Sequence, residues 1–534
     1  MTLRGCRGFS LLLLVGLLGG CSAADGGADL GAADLSVGDL SVAGDAGTHD
    51  LASSSAARFP LRASSNGRYL VDGTGTPFFM IGGSPQLLAA LSLSDATAYL
   101  SARAGQGFNS IQMYTFPWDF GAAGSAGGHR SLPGGNGAYP FVSKLGGGAY
   151  AGAPGTADFS TPNPTYFGYL DQVLDLATSM GFYIHLYTID FGYGGDGEQG
   201  WWPDVKANSA SALQGLGQYL GNRYQGRANV VWVDGSDYGQ SSPSPPDATN
   251  EGKVVQLVSA MQAAGAHQLR SGDWNSPSLS TDEPLFAGFM QLNGIYSYGG
   301  VYPQSSPNNG LTYAESRAGW NYTPVSASQG NPGATAIPPA LPAYMKETDY
   351  EGSAFSPGDP ASVRRAEWWS VLSGGTAGVF FENETVLRIG SGWQAQLGST
   401  GAKDMQRLAA LYASFAWWKL VPSELSGMRL LVTSANGNQA SAGGNYVAAA
   451  QAADGSFLWA YVPPTGGGAQ NLTVDLRSLR GNARARFWDP TNGNYTDASG
   501  GAYSLPNSAA AQAFATPGAN SAGDNDWILV LDTQ

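Results

Sequence analysis

From Phe78 to about residue 420 the chain alternates short apolar runs with segments of helical spacing, and this rhythm restricts the fold more than any other feature. A first strand at Phe78 to Ile81 leads into SLSDATAYLSARAGQG, which has a Ser/Asp start and a Gly end. FNSIQMYTF precedes the helical TYFGYLDQVLDLATSMG, FYIHLYTI precedes a helix over Ser209 to Tyr224, and NVVWV precedes KVVQLVSAMQAAG. QLRSGDW, FMQLNGIYSYG, PAYMKE and AGVFFEN supply four more strands. ASVRRAEWWSVLSGG and AKDMQRLAALYASFAWWKL are the clearest late helices. About eight βα units over roughly 340 residues imply a parallel sheet with crossover helices, closed as an α/β (β/α)8 barrel of the TIM type. The two units around Trp274 to Tyr322 carry weak helical patterning. An open doubly wound sheet is the rival, but the Gly-rich phosphate fingerprint that often marks it is missing after the first strand.

The flanks read differently. LRASSNGRYLVDGTGTPFFMIGG predicts a β-ribbon with turns at Asn66-Gly67 and Asp72-Gly73. At the N-terminus a basic Met1 to Arg7 is followed by an apolar Phe9 to Leu18, too short to span a bilayer, and then by Leu18-Gly19-Gly20-Cys21. This resembles a bacterial lipoprotein signal in which Cys21 is acylated; an ordinary secretory signal cut near Ala23 or Ala24 is the alternative. Either implies export. Ser22 resembles the signal for outer-membrane sorting, so a lipid-anchored protein at the outer membrane or cell surface is expected. Residues 22–57, rich in Gly, Ala, Ser and Asp, read as a flexible acidic tether. From Val421 onward, RLLVTS, YVAAAQ, SFLWAYV, NLTVDL, ARARFWDP and DWILVLD alternate with Asn/Gly/Asp turns and predict a small β-sandwich. The expected divisions are therefore 1–21, 22–57, 58–420 and 421–534. Trp417-Trp418 is the expected contact between sandwich and barrel.

Composition narrows the partners. A net charge of −14 argues against nucleic acid, which would need a basic face. Two cysteines, both near the N-terminus, and four histidines leave no disulfide framework and argue against a His/Cys zinc site. No cofactor and no dedicated metal site are expected, and a monomer is. Charged residues are only 12% of the chain and aromatics 11%, a balance that suits a carbohydrate partner.

In ANVVWVDGSDYG a run fit to be a buried strand ends in Asp234 and Asp237, although burial should exclude acids. The active site of such a barrel lies at the C-terminal strand ends, where side chains leave the packed interior. PAYMKETDYEG ends the seventh strand in the same way, with Glu347 first and Glu351 one turn later. Acids on the fourth and seventh strands approach across the barrel mouth, and two carboxylates flanking one bond are the minimum for cleaving a glycoside. Each acid alone has a structural reading, as a helix cap or as the partner of Lys346, Arg364 or Arg365. Asp234, before a Gly, reads as the holder of a turn.

The residues 60–420 resemble the apiosidase-like glycoside hydrolases. GRYLVDGTGTPFFMIGG, YLSARAGQGFNSIQ, YFGYLDQVLDLA, the NRY before NVVWVDGSD, and KETDYEG before RRAEWWSVLSGG carry the likeness in that order. The resemblance implies that Asp237, preceded by Trp232, is the acid/base of a Trp-x-x-Gly-Gly-Asp segment. It implies that Glu347 is the nucleophile of a Gly-Glu-Pro-x-Tyr-Glu-like segment, with Glu351 on its second Glu. Gly83 and Ser84 stand where the family has a polar pair, Ser236 where it has Gly, and Thr348 where it has Pro. SGDWNS stands in place of a His-Pro motif. These departures touch the substrate pocket more than the acids, so the resemblance implies the reaction rather than the sugar. The C-terminal part resembles a domain often paired with this barrel and labelled collagen-binding.

Aromatics in strand-end loops are candidate sugar platforms: Tyr114, Trp118, Trp201, Trp202, Trp274 and Tyr298. Gln112, Glu351 and Glu382 are candidate hydroxyl partners. Each has packing as its alternative. Two rival classes stand beside the glycosidase. One is a surface carbohydrate-binding protein that kept the cleft without turnover. The other is a Ser-His-Asp hydrolase, disfavoured because His185 sits in a strand and His267 at a helix end, with no G-x-S-x-G elbow.

Overall fold

The computed structural model describes residues 59–119, 130–192, 199–239, 247–298, 311–353 and 358–534. The leader, Cys21 and the tether lie outside the described residues. Eight strands run parallel: β1 (Met80–Gly83), β2 (Ser110–Tyr114), β3 (Tyr183–Asp190), β4 (Val230–Tyr238), β5 (Arg270–Trp274), β6 (Asn293–Tyr296), β7 (Ala343–Glu347) and β8 (Gly378–Phe381). Their order in the sheet is β5-β4-β3-β2-β1-β8-β7-β6. All eight residues of β3 are buried, as a parallel strand between barrel interior and helices requires. The crossover helices start where the sequence supplies caps: the Ser92, Asn163, Ser209, Asp247, Asp359 and Ser399 side chains each accept a backbone N–H of the first turn.

The barrel seam lies between β5 and β6, where the helical pattern is weakest. No helix follows β5. A short strand, Ser278–Leu279, pairs antiparallel with β6, and a 3₁₀ turn follows at Ala287–Phe289. Ser280 bridges the seam, its hydroxyl donating to the Gly272 carbonyl (2.6 Å) and accepting from the Gly294 N–H (2.7 Å). After β6 the helix Thr312–Asn321 does form. The predicted ribbon is a three-stranded antiparallel sheet of Arg62–Ala63, Leu70–Val71 and Pro77–Phe78.

The C-terminal strands are β9 (Leu420–Pro422), β10 (Ala448–Ala452), β11 (Phe457–Val462), β12 (Asn471–Val474), β13 (Ala483–Trp488), β14 (Tyr495–Asp497), β15 (Gln512–Ala515) and β16 (Trp527–Thr533). Six form one antiparallel sheet, β9-β10-β11-β16-β13-β14, faced by the pair β12-β15. Strand alternation gives the large sheet two apolar faces. Leu458, Ala460, Leu529 and Leu531 meet Leu472, Val474 and Phe514 inside the sandwich. Trp459, Tyr461, Trp488, Ile528 and Val530 join the barrel's own core.

The junction is therefore a shared core, wider than the expected Trp417-Trp418 contact. Trp368 of the helix Pro360–Ser373 stacks on Tyr461 at 6.2 Å, and the Trp369 indole N–H donates to the Tyr446 carbonyl (2.8 Å). Arg364, buried between the two, pairs with Asp404 of a barrel helix (2.8 Å) and with Asp526 (2.8 Å) and Asp524 (2.9 Å) beyond it. Trp417 is buried against Phe79, while Trp418 is 36% exposed.

Candidate active site

Two irregular strand ends build the site. On β4, Asp234 is buried and its two oxygens each accept from Arg270 at 2.7 Å, so it anchors neighbouring strands rather than merely holding a turn. Gly235 follows at φ +91°, where a Cβ would stand 2.3 Å from the Asp273 carbonyl oxygen; no larger residue fits. β4 pairs with β5 at Gly235↔Asp273 and again at Tyr238↔Trp274, leaving Ser236 and Asp237 as a bulge. Both take positive φ, 113° and 49°. Asp tolerates that region, whereas Ser at 113° is strained, a cost concentrated where a strand re-aims a side chain. The bulge turns Asp237 toward the barrel mouth, where it keeps part of its surface open.

β7 carries the second bulge. Ile295 pairs with Met345 and Tyr296 with Glu347, so Lys346 is the extra residue. Adjacent residues of a regular strand face opposite ways; here Lys346 and Glu347 both reach the same polar cluster. The Lys346 ammonium lies 2.5 Å from Asp273 and 3.4 Å from Glu347, and 4.3 Å from the centre of the Tyr296 ring. Tyr187 donates to the other Asp273 oxygen at 2.6 Å.

Two tyrosines link the strand-end acids. The Tyr296 hydroxyl contacts Asp237 Oδ1 at 2.7 Å and the Tyr298 hydroxyl at 3.1 Å, and Tyr298 contacts Glu347 Oε1 at 2.8 Å. Burial, then the nearby charges of Glu347 and Asp273, hold the Asp237 carboxyl well above the usual carboxylate range; the Tyr296 hydrogen bond and Lys346 pull the other way. Burial raises Asp273 too, against the pull of Lys346. Burial opposes the Lys346 charge, but Asp273 and Glu347 outweigh it and raise its pKa. The site thus places a carboxyl that favours its proton across from a carboxylate flanked by a cation.

Of the residues singled out from sequence, Asp237, Glu347 and Tyr298 come together in this cluster. Tyr114 adjoins it, buried edge-on to Tyr187 at 5.0 Å. The platform role expected of four tryptophans does not fit their surroundings, because each is almost wholly buried. Trp118 donates its indole N–H to Asp190, Trp201 to the Phe116 carbonyl (2.8 Å) and Trp274 to the Ser280 carbonyl (2.8 Å). Trp202 is packed between Tyr238 and Phe191. The hydroxyl-partner role fits Glu382 and Glu351 no better. Glu382, buried, pairs with Arg103 and accepts from Tyr99 (2.6 Å) and the Ser84 N–H (3.2 Å). Glu351 accepts from the Gly401 N–H (2.9 Å) at the start of a helix and from Asn383 (3.4 Å). Gln112, buried, donates to Ser84 (2.8 Å) and the Lys346 carbonyl (3.3 Å).

Sequence reasoning missed Asp273, Tyr296, Tyr187 and Asp190, and named Lys346 only as an available partner for an acid. Asp273 and Asp190 end barrel strands, the same signal that marked Asp237. Tyr296 and Tyr298 stand two apart, a spacing that puts both on one face. The bulge that brings in Lys346 leaves no such mark. Among the described residues no group of three or more His, Cys, Asp and Glu could hold a metal ion.

Residues 64–419 match the apiosidase-like catalytic domain family, and residues 431–532 match a family named for a collagen-binding domain of a collagenase. A solved glycoside hydrolase superposes with TM-score 0.62 at 19% identity, over 89% of this chain and 97% of its own. A family 5 glycoside hydrolase from Bacteroides vulgatus ATCC 8482 gives 0.63 at 18% identity, over 89% and 95%. At these identities the likeness is one of fold. Among curated proteins, none matches the chain.

Proposed function

The chain belongs to the apiosidase-like catalytic domain family, and from that premise we propose a glycoside hydrolase that works through Asp237 and Glu347. Asp237, protonated, gives its proton to the leaving glycosidic oxygen as the bond to the anomeric carbon breaks. Glu347 attacks that carbon as a carboxylate and forms a glycosyl ester. Asp237, now ionised, takes a proton from water, whose oxygen displaces Glu347 and restores both groups. The observation that carries this reading is the unequal pair itself: burial and a neighbouring negative charge favour the proton on Asp237, while Lys346 stands 3.4 Å from Glu347.

Tyr114 and Tyr298, at the ends of β2 and β6, are the substrate contacts this reading favours. A plant or microbial polysaccharide is the substrate class, reached by an exported protein held through acylated Cys21. The test is release of reducing sugar from a panel of such polysaccharides by wild type and Glu347→Gln. Loss of activity in a folded Glu347→Gln protein supports the assignment; unchanged activity overturns it. Binding of one glycan without cleavage by either protein favours the carbohydrate-binding alternative.

A further inference from the structure

We propose that Tyr296 and Tyr298 form a proton relay that keeps a single proton between Asp237 and Glu347 and stores it on Asp237 in the resting site. The inference rests on the acid and nucleophile roles proposed above and adds the device that holds them in opposite protonation states.

The argument is a count. The chain Asp237–Tyr296–Tyr298–Glu347 has O···O links of 2.7, 3.1 and 2.8 Å, all of hydrogen-bond length. Each link needs one proton, and each phenol supplies one. Burial holds both phenols well above their usual pKa, so neither gives up its proton to solvent. The third proton must come from a carboxyl. With it on Asp237, every link is made and every donor points toward Glu347.

Remove that proton and Tyr296 turns to Asp237 while Tyr298 stays on Glu347. Two phenol oxygens then face each other with nothing between them. A second proton has to go to a carboxyl oxygen outside the chain, and Glu347 Oε2 faces the Lys346 ammonium at 3.4 Å, which cannot accept it. The chain therefore resists both losing the shared proton and gaining another. Around Tyr296, which is about 1% exposed, an unmade link is costly.

Which end holds the proton follows from the groups around each. β7 sets Glu347 and Lys346 against the chain, β5 sets Asp273, β2 sets Tyr114, and Tyr350 faces Tyr296 and Glu347. Of the two ends Glu347 is the one with the Lys346 ammonium at ion-pair range, an ammonium it shares with Asp273, so the proton is placed on Asp237. If Glu347 becomes protonated it cannot attack. The relay reverses this without water: Glu347 gives its proton to Tyr298, Tyr298 gives its own to Tyr296, and Tyr296 gives its own to Asp237. One proton moves net and both phenols end neutral. Tyr296 and Tyr298 are positioning residues for the two carboxyls.

The test is titration of ¹³C-labelled Asp and Glu carboxyls by NMR in the full chain without substrate, with Asp237→Asn and Glu347→Gln to assign the signals. Tyr298→Phe leaves Tyr296 free to serve Asp237 alone, which favours the Asp237 anion. Its midpoint is expected to fall by about half to one pH unit, the worth of one hydrogen bond, and the alkaline limb of kcat/KM to fall with it. In the Tyr296→Phe background, adding Tyr298→Phe is expected to leave the Asp237 midpoint where it was, because the link is already cut. An Asp237 midpoint equal in wild type and folded Tyr298→Phe, or a Tyr298→Phe shift that persists in the Tyr296→Phe background, overturns the relay. Because the titration needs no turnover, a protein that shows these shifts yet hydrolyses no glycoside overturns the glycosidase assignment alone.

Discussion

Lys346 and Asp273, from β7 and β5, form an ion pair of 2.5 Å with each side chain about 1% exposed. No solvent reaches this pair to compensate a missing partner. Lys346→Met strands the Asp273 charge and should lower the unfolding free energy by about 3–5 kcal/mol in urea titrations, whereas Lys346→Met with Asp273→Asn should recover much of the loss. A single variant as stable as wild type would contradict the pairing.

Asp237→Asn removes the proton donor and keeps the shape. On unactivated linkages the rate should fall by about 10²–10⁴-fold. On aryl glycosides, whose leaving group needs no proton, bond cleavage should be far less affected. Comparing kcat/KM for the two substrate types decides it, and equal losses on both would remove Asp237 from the acid role.

Ser236 at φ 113° separates strain from hydrogen bonding. Its side chain also bonds Tyr114 and Asp190. Glycine and alanine lose those bonds alike, but only glycine relieves the backbone. Ser236→Gly should therefore exceed Ser236→Ala in stability by about 1–3 kcal/mol in calorimetry. Equal melting of the two would mean that the backbone there is unstrained.

Arg364 serves Asp404 on one side of the junction and Asp526 on the other. Arg364→Leu leaves Asp526 buried without its cation, while Asp404 keeps Arg407 at 2.6 Å, and should cost about 3–5 kcal/mol. Barrel and sandwich should still melt in one transition, because tryptophans from both sides share a core. Two separated transitions in wild type would show the junction to be weaker than its packing.

Burial raises Asp204 to about 6 and Asp190, Glu283 and Glu315 to about 7. Each binds a proton in the folded chain at a pH where the unfolded chain has released it. That stability is present below about pH 4 and lost as pH rises through 6 to 7. Asp247, Asp454, Asp475 and Asp489 are shifted down, and their contribution is lost in the other direction, as pH falls below about 4. The melting temperature should peak at mildly acidic pH and decline from pH 5 to pH 8. A rise over that interval would contradict the assignment.

The barrel was legible because a parallel strand covered on both faces reads as an unbroken apolar run, so acids ending such runs stand out. Asp237 and Glu347 were found this way. The place of Lys346 in the cluster was not legible, because a bulge is a property of two strands in register and the β7 sequence alone carries no trace of it. The tryptophans misled for a different reason: Trp118 and Trp201 are aromatic residues near strand ends whether they line a cleft or fill the space behind it. Arg364, offered by sequence as a partner for the site's acids, serves the sandwich junction, a pairing that spans 162 residues of chain. Long-range partners of that kind follow from the assembled core and from no local pattern.

The strand that comes last in the chain, β16, lies in the middle of its sheet, between β11 and β13. During synthesis the other strands of that sheet emerge first and wait for the one that joins them. Trp368 meets Tyr461 of β11 and Trp488 of β13, two strands that stand on either side of β16. The contacts of Trp368 to both strands can therefore be completed only once β16 has taken its place between them.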